Sequence, residues 1–429
     1  MRGGTVAVVG GSIAGCAFAS AAARAGADEV VVIERTGGRL ADRGVGLCIH
    51  NDRAAELAAV GTLPPGIAAH RLTRRRWVVR DGGDAAGRLF WEQPFPFHSY
   101  HWGLLWQGLR EATPASVVYR QGTAVTGVSA PPPAPLPGPG SAQDAAPGGT
   151  PSATPNGRAA VTLAGDSVEH YDLVVGADGY RSVVREALSP GSRPHYAGYV
   201  CWRGNFDARA LDGIGEDPWP SDAAMTVGWP GGSCVIYRIP GPDGTRVNWV
   251  LYAVPPQDGT LRFDDPTSFP PGALTAELSD HLALLLAREF PPYWARVLGL
   301  TAPADTFVQP IYDLEVTRTG AGRLLLAGDA ATVVRPHNTS GAAKAMQDAT
   351  AFEAAWRNAA SWEHLTHAYQ AARGPVGREL VALARRLGRA QVERTPEWTA
   401  MDRPAAESWW RGQLDGASGI GGQALPGTP

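Results

Sequence analysis

Residues 5–34 constrain the fold more than any other stretch of the chain. Thr5-Val6-Ala7-Val8-Val9 is a continuous apolar run, Gly10-Gly11-Ser12-Ile13-Ala14-Gly15 is a glycine-rich turn, Cys16 to Ala25 reads as a helix of small residues, and Glu29-Val30-Val31-Val32-Ile33-Glu34 is a second apolar strand. Apolar strands without alternation, joined through a helix, belong to a parallel sheet buried on both faces. The turn is a dinucleotide fingerprint with one substitution. Gly10 permits the tight turn, Gly15 lets the helix approach the strand, and the helix N-terminus offers unpaired N–H groups to a pyrophosphate. Ser12 stands where the middle glycine is usual; its small side chain still allows close approach and adds a hydroxyl. Ile13 and Ala14 complete the turn. Glu34 lies 24 residues after Gly10, where a carboxylate accepts hydrogen bonds from ribose hydroxyls, and Arg35 follows it.

A chain of 429 residues suits two interleaved domains. A hydrophobic fraction of 44%, a charged fraction of 18% and a net charge of −3 describe an ordinary globular protein with no strong field for nucleic acid. The cluster Arg71, Arg74, Arg75, Arg76 and Arg80 reads as a solvated strand edge, with a phosphate contact for a nicotinamide cofactor as the sharper alternative. Cys16, Cys48, Cys201 and Cys234 are scattered, with no metal-ligand spacing, and suit a reducing cytoplasm. No apolar run approaches the roughly 20 residues that span a bilayer, and the first strand begins too early for a signal peptide before it. The Pro/Gly-rich run 131–157 cannot bury a core and is expected as a disordered insertion at a hairpin tip. From 196 to 260 the pattern is strand-rich and antiparallel, with Gly241-Pro242-Asp243-Gly244 as a turn. The expected fold is α/β: a Rossmann-like domain from 1–67, 106–195 and 312–390, interleaved with an antiparallel-sheet substrate domain from 68–105 and 196–311. C-terminal helices close it, and 391–429 is a tail.

Two further segments repeat the logic of the first. Leu173-Val174-Val175-Gly176-Ala177 delivers Asp178-Gly179 into a turn before a helix, and Leu324-Leu325-Leu326-Ala327 delivers Gly328-Asp329. Each alone is an ordinary strand-to-helix turn. The three in this order resemble the p-hydroxybenzoate-hydroxylase type of single-component, FAD-dependent monooxygenases. Val334-Arg335-Pro336-His337-Asn338-Thr339-Ser340-Gly341-Ala342-Ala343 is similar to the dihydroxypyridine-hydroxylase branch, as are Gly198-Tyr199-Val200-Cys201-Trp202-Arg203-Gly204 and Asn248-Trp249-Val250-Leu251-Tyr252. The likeness covers residues 5–390 apart from the insertion.

The resemblance implies that the first motif binds the ADP half of FAD and that Asp178 and Gly179 lie near the pyrophosphate. Asp329 would hold the ribityl chain, and the amides of Gly341, Ala342 and Ala343 would meet the flavin pyrimidine edge. Val125 joins the FAD set. Gln107 stands where many relatives have arginine, and Arg43 is the candidate to supply that charge. The activity implied is hydroxylation of an electron-rich aromatic or N-heteroaromatic small molecule through a C4a-hydroperoxyflavin. O2 is the oxidant and NADPH or NADH the transient co-substrate. His50, His337 and Tyr237 are the catalytic candidates, and Trp202, Trp249, Tyr252 and Pro336 the substrate-pocket candidates. No metal is expected, and the protein would be a cytoplasmic monomer or homodimer. A flavin reductase without oxygen insertion and a non-catalytic redox sensor are the competing readings. A flavin halogenase is disfavoured, because neither a Trp-x-Trp-x-Ile-Pro run nor a lysine in the first helix is present.

Overall fold

A computed structural model describes residues 3–38, 40, 45–132, 157–215, 218–256 and 274–417. The chain opens with β1 (Thr5–Val9), α1 (Ile13–Ala25), β2 (Glu29–Glu34), β3 (Gly46–His50) and α2 (Asn51–Ala59). Next come β4 (His70–Val79), β5 (Arg88–His101), α3 (Trp102–Glu111), β6 (Val117–Gln121) and β7 (Val125–Ser129). After the insertion follow β8 (Ala159–Leu163), β9 (Val168–Tyr171), β10 (Leu173–Gly176), α4 (Val183–Leu188) and β11 (His195–Asp207). The middle of the chain holds β12 (Ala223–Trp229), β13 (Gly232–Gly241), β14 (Gly244–Ala253), α5 (Ala276–Glu289), α6 (Pro292–Gly299) and β15 (Phe307–Glu315). It ends with β16 (Gly320–Ala321), β17 (Leu324–Leu326), β18 (Thr332–Val333), α7 (Gly341–Asn358), α8 (Trp362–Gly388) and α9 (Arg403–Leu414).

The three apolar strands that precede the glycine turns are neighbours. β17, β10, β1, β2 and β6 form a parallel sheet in that order, with β16 antiparallel at one edge. Their turns therefore lie at one end of one sheet, outside the strands' carboxyl ends, where open α/β sheets bind ligands. The small residues of α1 let it sink between the sheet and α7, and Phe18 meets Phe352 with ring centroids 5.1 Å apart. A three-stranded antiparallel sheet of β7, β8 and β9 flanks this layer. β7 and β8 are paired directly, so the Pro/Gly-rich run, most of which falls outside the described residues, joins the two arms of a hairpin.

The second layer is a nine-stranded sheet in the order β18-β15-β11-β14-β13-β12-β4-β5-β3. All its pairings are antiparallel except β12 with β4. β3 and β18 close its two edges, so this sheet takes in strands beyond 68–105 and 196–311. Strand alternation gives it two faces. Trp202, Leu251, Ile236 and Met225 pack on one side with α5 and α6. Arg203, Val250, Val235 and Thr226 stand on the other.

The segment after 390, expected as a tail, is packed structure as far as α9. Trp398 and Trp410 are buried and join Trp77, Trp91 and Trp409 in one aromatic cluster, with Trp77 stacked 5.5 Å from Trp398 and 5.7 Å from Trp91. Tryptophans spaced along an otherwise polar segment were the signal for this docking. Trp410→Ala is expected to destabilise the protein by about 3–5 kcal/mol, as for a large aromatic removed from a packed core. Chemical denaturation with near-UV circular dichroism checks this; a change within about 0.5 kcal/mol would mean that the helix lies on the surface without packing.

Candidate active site

A cleft of about 370 Å³ opens between the two layers. On one side lie Ser12, Ile13 and Ala14 from the start of α1, Ala177 and Gly179 after β10, Gly328 and Asp329 after β17, and Gly341 and Ala342 at the start of α7. All three glycine motifs thus converge on one cavity. The geometry of the first turn is strict. Gly10 has φ +96°, and a Cβ there would lie 2.5 Å from the Ala177 carbonyl oxygen. A Cβ on Gly15 would lie 1.9 Å from the Gly10 carbonyl oxygen. The Ser12 side chain makes no cap bond to α1, and Ser340 makes none to α7, so the first-turn amides of both helices stay open at the cavity wall. Two positive dipole ends therefore face one cleft.

Glu34 is buried at the end of β2, with Oε2 accepting from the Gly11 N–H at 2.7 Å and Oε1 from the Thr36 N–H at 2.8 Å. Each oxygen retains a free lone pair. Asp178 accepts from the Val183 N–H at 2.7 Å through Oδ2, while its other oxygen is buried without a protein partner. Burial raises the Asp178 carboxyl above its usual range against those hydrogen bonds. Asp329 opens into the cleft, where the surrounding protein raises its carboxyl above the usual range, opposed by Lys344.

The Gly328 peptide beside Asp329 is gripped from both sides. Its N–H donates to Asp348 Oδ2 at 3.1 Å, and its carbonyl accepts from Lys344 Nζ at 2.9 Å. Lys344 and Arg373 both bond the Asp348 carboxylate, at 3.0 and 2.6 Å. Burial alone would raise the Asp348 carboxyl, but the two cations outweigh it and hold it below the ordinary range.

The opposite wall comes from the nine-stranded sheet and the loop before α7. It carries Arg75, Phe95, Arg203, Val235, Tyr237, Val250, Tyr252, Pro336 and His337. Arg335 does not enter the cleft wall; its Nε donates to buried Asp313 at 2.8 Å and its Nη1 to Glu393 at 2.8 Å, which fixes the loop on which Pro336 and His337 ride. His337 is buried, with Nε2 2.8 Å from the Tyr199 hydroxyl and its ring 4.1 Å from Tyr252. Burial, with help from Arg335 and Arg75, pushes its pKa down to about 3. The Tyr237 and Tyr252 phenols are pushed well above their usual range by burial and remain donors.

Several expected residues stand elsewhere. His50 ends β3, and its Nδ1 accepts the Asp52 N–H at 3.2 Å as the cap of α2, so its ring serves a helix rather than the cleft. Trp202 and Trp249 belong to the core face of the sheet: Trp202 stacks on His281, and Trp249 Nε1 donates to Thr301 Oγ1 at 2.8 Å. The alternation that separates Trp202 from Arg203 was legible in the sequence, but which face meets the cleft was not. Gln107 is exposed on α3 and donates to Glu111 at 2.7 Å. Arg35 is exposed beyond β2, Val125 packs at the start of β7, and Ala343 is buried as the third residue of α7. Arg43 lies outside the described residues. The arginine cluster is not a uniform solvated edge: Arg74 and Arg76 pair with Asp222 and Glu92, whereas Arg75 is buried in the cleft wall. Arg203 and Gln391 are polar cleft residues that the sequence motifs did not single out, and Arg75, weighed there only as part of a basic cluster, also stands in the cleft wall.

These features fit FAD: open helix amides for the pyrophosphate, an acidic residue at each of three strand ends, and a glycine cradle that a Cβ would fill. Two substitutions test the fit. Gly15→Ala forces its methyl group against a backbone carbonyl, and Asp348→Asn leaves two cations around a neutral amide, a change that costs about 3–5 kcal/mol when a buried pair is broken. Each is expected to lower flavin retention at least about tenfold, read from the visible flavin band against protein absorbance after gel filtration. The Asp348 contribution to stability is expected to be fully present at neutral pH and to fade as pH falls through its depressed pKa, below 3.8. A thermal melt of the Asn variant that shows the same acid dependence would contradict this.

Residues 308–384 match a family described as FAD binding domain. The chain is 34% identical over 189 residues to a 2,6-dihydroxypyridine 3-monooxygenase of Paenarthrobacter nicotinovorans, covering 41% of this chain and 46% of that enzyme. It is 26% identical over 354 residues to a 3-amino-4-hydroxybenzoate 2-monooxygenase of Streptomyces platensis, covering 80% and 77%. The chain thus spans about half the length of several curated relatives it matches, and more of others. Among solved structures, 2,6-dihydroxypyridine-3-hydroxylase from Arthrobacter nicotinovorans superposes with a TM-score of 0.74 at 23% identity, covering 92% of this chain and 94% of that one. Klebsiella pneumoniae HpxO, crystallised with FAD and uric acid, superposes with a TM-score of 0.69 at 19% identity, covering 95% and 92%. The chain therefore carries a FAD-binding-domain segment, is homologous to FAD-dependent aromatic-ring monooxygenases, and shares the fold of the flavin hydroxylases.

Proposed function

We propose that the protein is a FAD-dependent monooxygenase that hydroxylates an electron-rich aromatic or N-heteroaromatic small molecule, using NAD(P)H and O2. The observation that carries this reading is the two-sided cleft. One wall is built of nucleotide-type turns and two helix N-termini, and the other of tyrosines, a phenylalanine and two arginines. Bound FAD, reduced by NAD(P)H, would supply the chemistry with O2 that places oxygen on the ring. Its pyrophosphate would meet the amides of Ser12, Ile13 and Ala14, and its pyrimidine edge those of Gly341 and Ala342. The four cysteines are free and buried, which suits work in the reducing cytoplasm.

The chain's own residues position the substrate and set its charge. Phe95, Val235, Val250 and Tyr252 supply flat apolar surface that excludes water and holds a ring. Arg203 Nη2 donates to the Gly46 carbonyl at 3.0 Å and keeps its remaining donors for the cleft. A ring hydroxyl bound near the Arg203 guanidinium ionises more readily than in water, so the cleft favours the electron-rich form without a dedicated base. His337 holds its neutral imidazole in place through Tyr199 and orients the ring.

The first experiment is the visible spectrum of the purified protein, followed anaerobically with NADH and then NADPH as phenols and hydroxypyridines are added. Flavin bands that bleach faster with one aromatic, and return in air with one equivalent of hydroxylated product, are the expected result. A protein that takes up no flavin would end the proposal. A pKa of about 3 leaves His337 neutral at every pH above about 4, so His337→Gln is expected to leave any ionisation between about pH 6 and 8 in the kcat profile where it was. Disappearance of such a limb in this variant would make His337 the base after all.

A further inference from the structure

We propose that Arg75 and Gln391 form a seat for a carboxylate, so that the substrate is an aromatic acid rather than a neutral arene. This deepens the monooxygenase reading and rests on the cleft being its substrate cavity. Arg75 is 3% exposed and lines the cleft, yet no carboxylate among the described residues pairs with it. Its hydrogen bonds run to neutral groups: Nε to Thr226 Oγ1 at 2.7 Å, and Nη2 to Gln391 Oε1 at 3.4 Å. Its guanidinium lies 4.2 Å over the Trp77 ring. The contrast with its neighbours is sharp. Arg335 holds Asp313 and Glu393, while Lys344 and Arg373 hold Asp348. Among the described residues the one acid in the cleft wall is Asp329, which stands on the side of the glycine turns.

A buried guanidinium without a counter-ion costs several kcal/mol. Burial draws its pKa down to about 9, which still leaves it charged at neutral pH. A protein retains such a group where a ligand supplies the missing charge. Gln391 adds the second part. It is 1% exposed, its carboxamide oxygen faces Arg75, and its Nε2 is buried without a partner. It sits in a π-helical turn, Arg389–Glu393, that follows α8, and such turns re-aim single side chains at functional sites. A guanidinium fork and a free amide N–H in an apolar wall match the two oxygens and the charge of a carboxylate.

The test is isothermal titration calorimetry on the FAD-loaded protein with matched pairs of probes: benzoate, the three hydroxybenzoates, nicotinate, and indole- and quinoline-carboxylates, each against its primary amide. Flavin content is read separately from the visible band. At least one acid is expected to bind about tenfold or more tightly than its amide. Gln391→Glu places an internal carboxylate against Arg75 and Arg75→Met removes the charge; both are expected to erase that preference while flavin content is kept. Gln391→Glu, which pairs the buried cation, is also expected to raise the melting temperature, so a folded variant is available if Arg75→Met is not. The seat is overturned if no acid is preferred by the wild-type protein, or if the preference survives in Gln391→Glu. It is also overturned if Arg75→Met loses flavin rather than acid selectivity. Failure of the wild-type protein to bind flavin would instead sink the monooxygenase reading.

Discussion

Asp348 is a carboxylate with 4% side-chain exposure, and three parts of the chain close around it. Lys344 comes from one turn earlier on α7, Arg373 from α8, and the Gly328 N–H from the turn after β17. Removing the acid would leave two buried cations unpaired and free the Gly328 peptide, so the energetic penalty falls where α7, α8 and the parallel sheet meet. Through Gly328 the same cluster sets the direction in which Asp329 enters the cleft. Through Lys344 it fixes the first turn of α7, whose open amides line the cavity. Arg335 repeats the device one loop later: Asp313 from β15 and Glu393 from the π-turn lock it, and Pro336 and His337 are carried into place. Buried ion pairs of this kind are weak evidence for net stability. Here they act as geometric pins at the two ends of the stretch that lines the cleft.

The second constraint is the pleat of the nine-stranded sheet. Because neighbouring residues point to opposite faces, a single register places Trp202 in the core and Arg203 in the cleft, and sends Arg75 inward while Arg74 and Arg76 meet Glu92 and Asp222. A run of arginines that looks uniform in sequence is thereby divided into surface ion pairs and one buried cation. The aromatic cluster of Trp77, Trp91, Trp398 and Trp410 supports the same strand from the side of α9, and Arg75 lies over both Trp77 and Trp410. The C-terminal segment is therefore part of the cavity wall, contributing Gln391 to it.

The amino-acid sequence by itself determined what is local. Gly10 and Gly15 could be read as backbone requirements, because glycine takes a left-handed turn without strain and only a residue without Cβ accepts a carbonyl oxygen at contact distance. The apolar runs at 5–9, 29–34, 173–176 and 324–326 read as buried strands, and the structure makes them neighbours in one parallel sheet. The turns that carry Asp178, Asp329 and Gly341 were legible for the same reason: strand, glycine and helix start follow one another in the chain. Tertiary structure decided everything that depends on which faces meet. His50 caps α2 and lies outside the cleft lining because β3 runs straight into α2. Trp202 and Trp249 face α5 and α6 because those helices cover that side of the sheet. Arg75 and Gln391, 316 residues apart, share a hydrogen bond only because the π-turn after α8 folds back onto β4. Periodicity assigns a residue to one of two faces, but the choice of which face is buried against which partner is made by long-range packing, and no local pattern carries it.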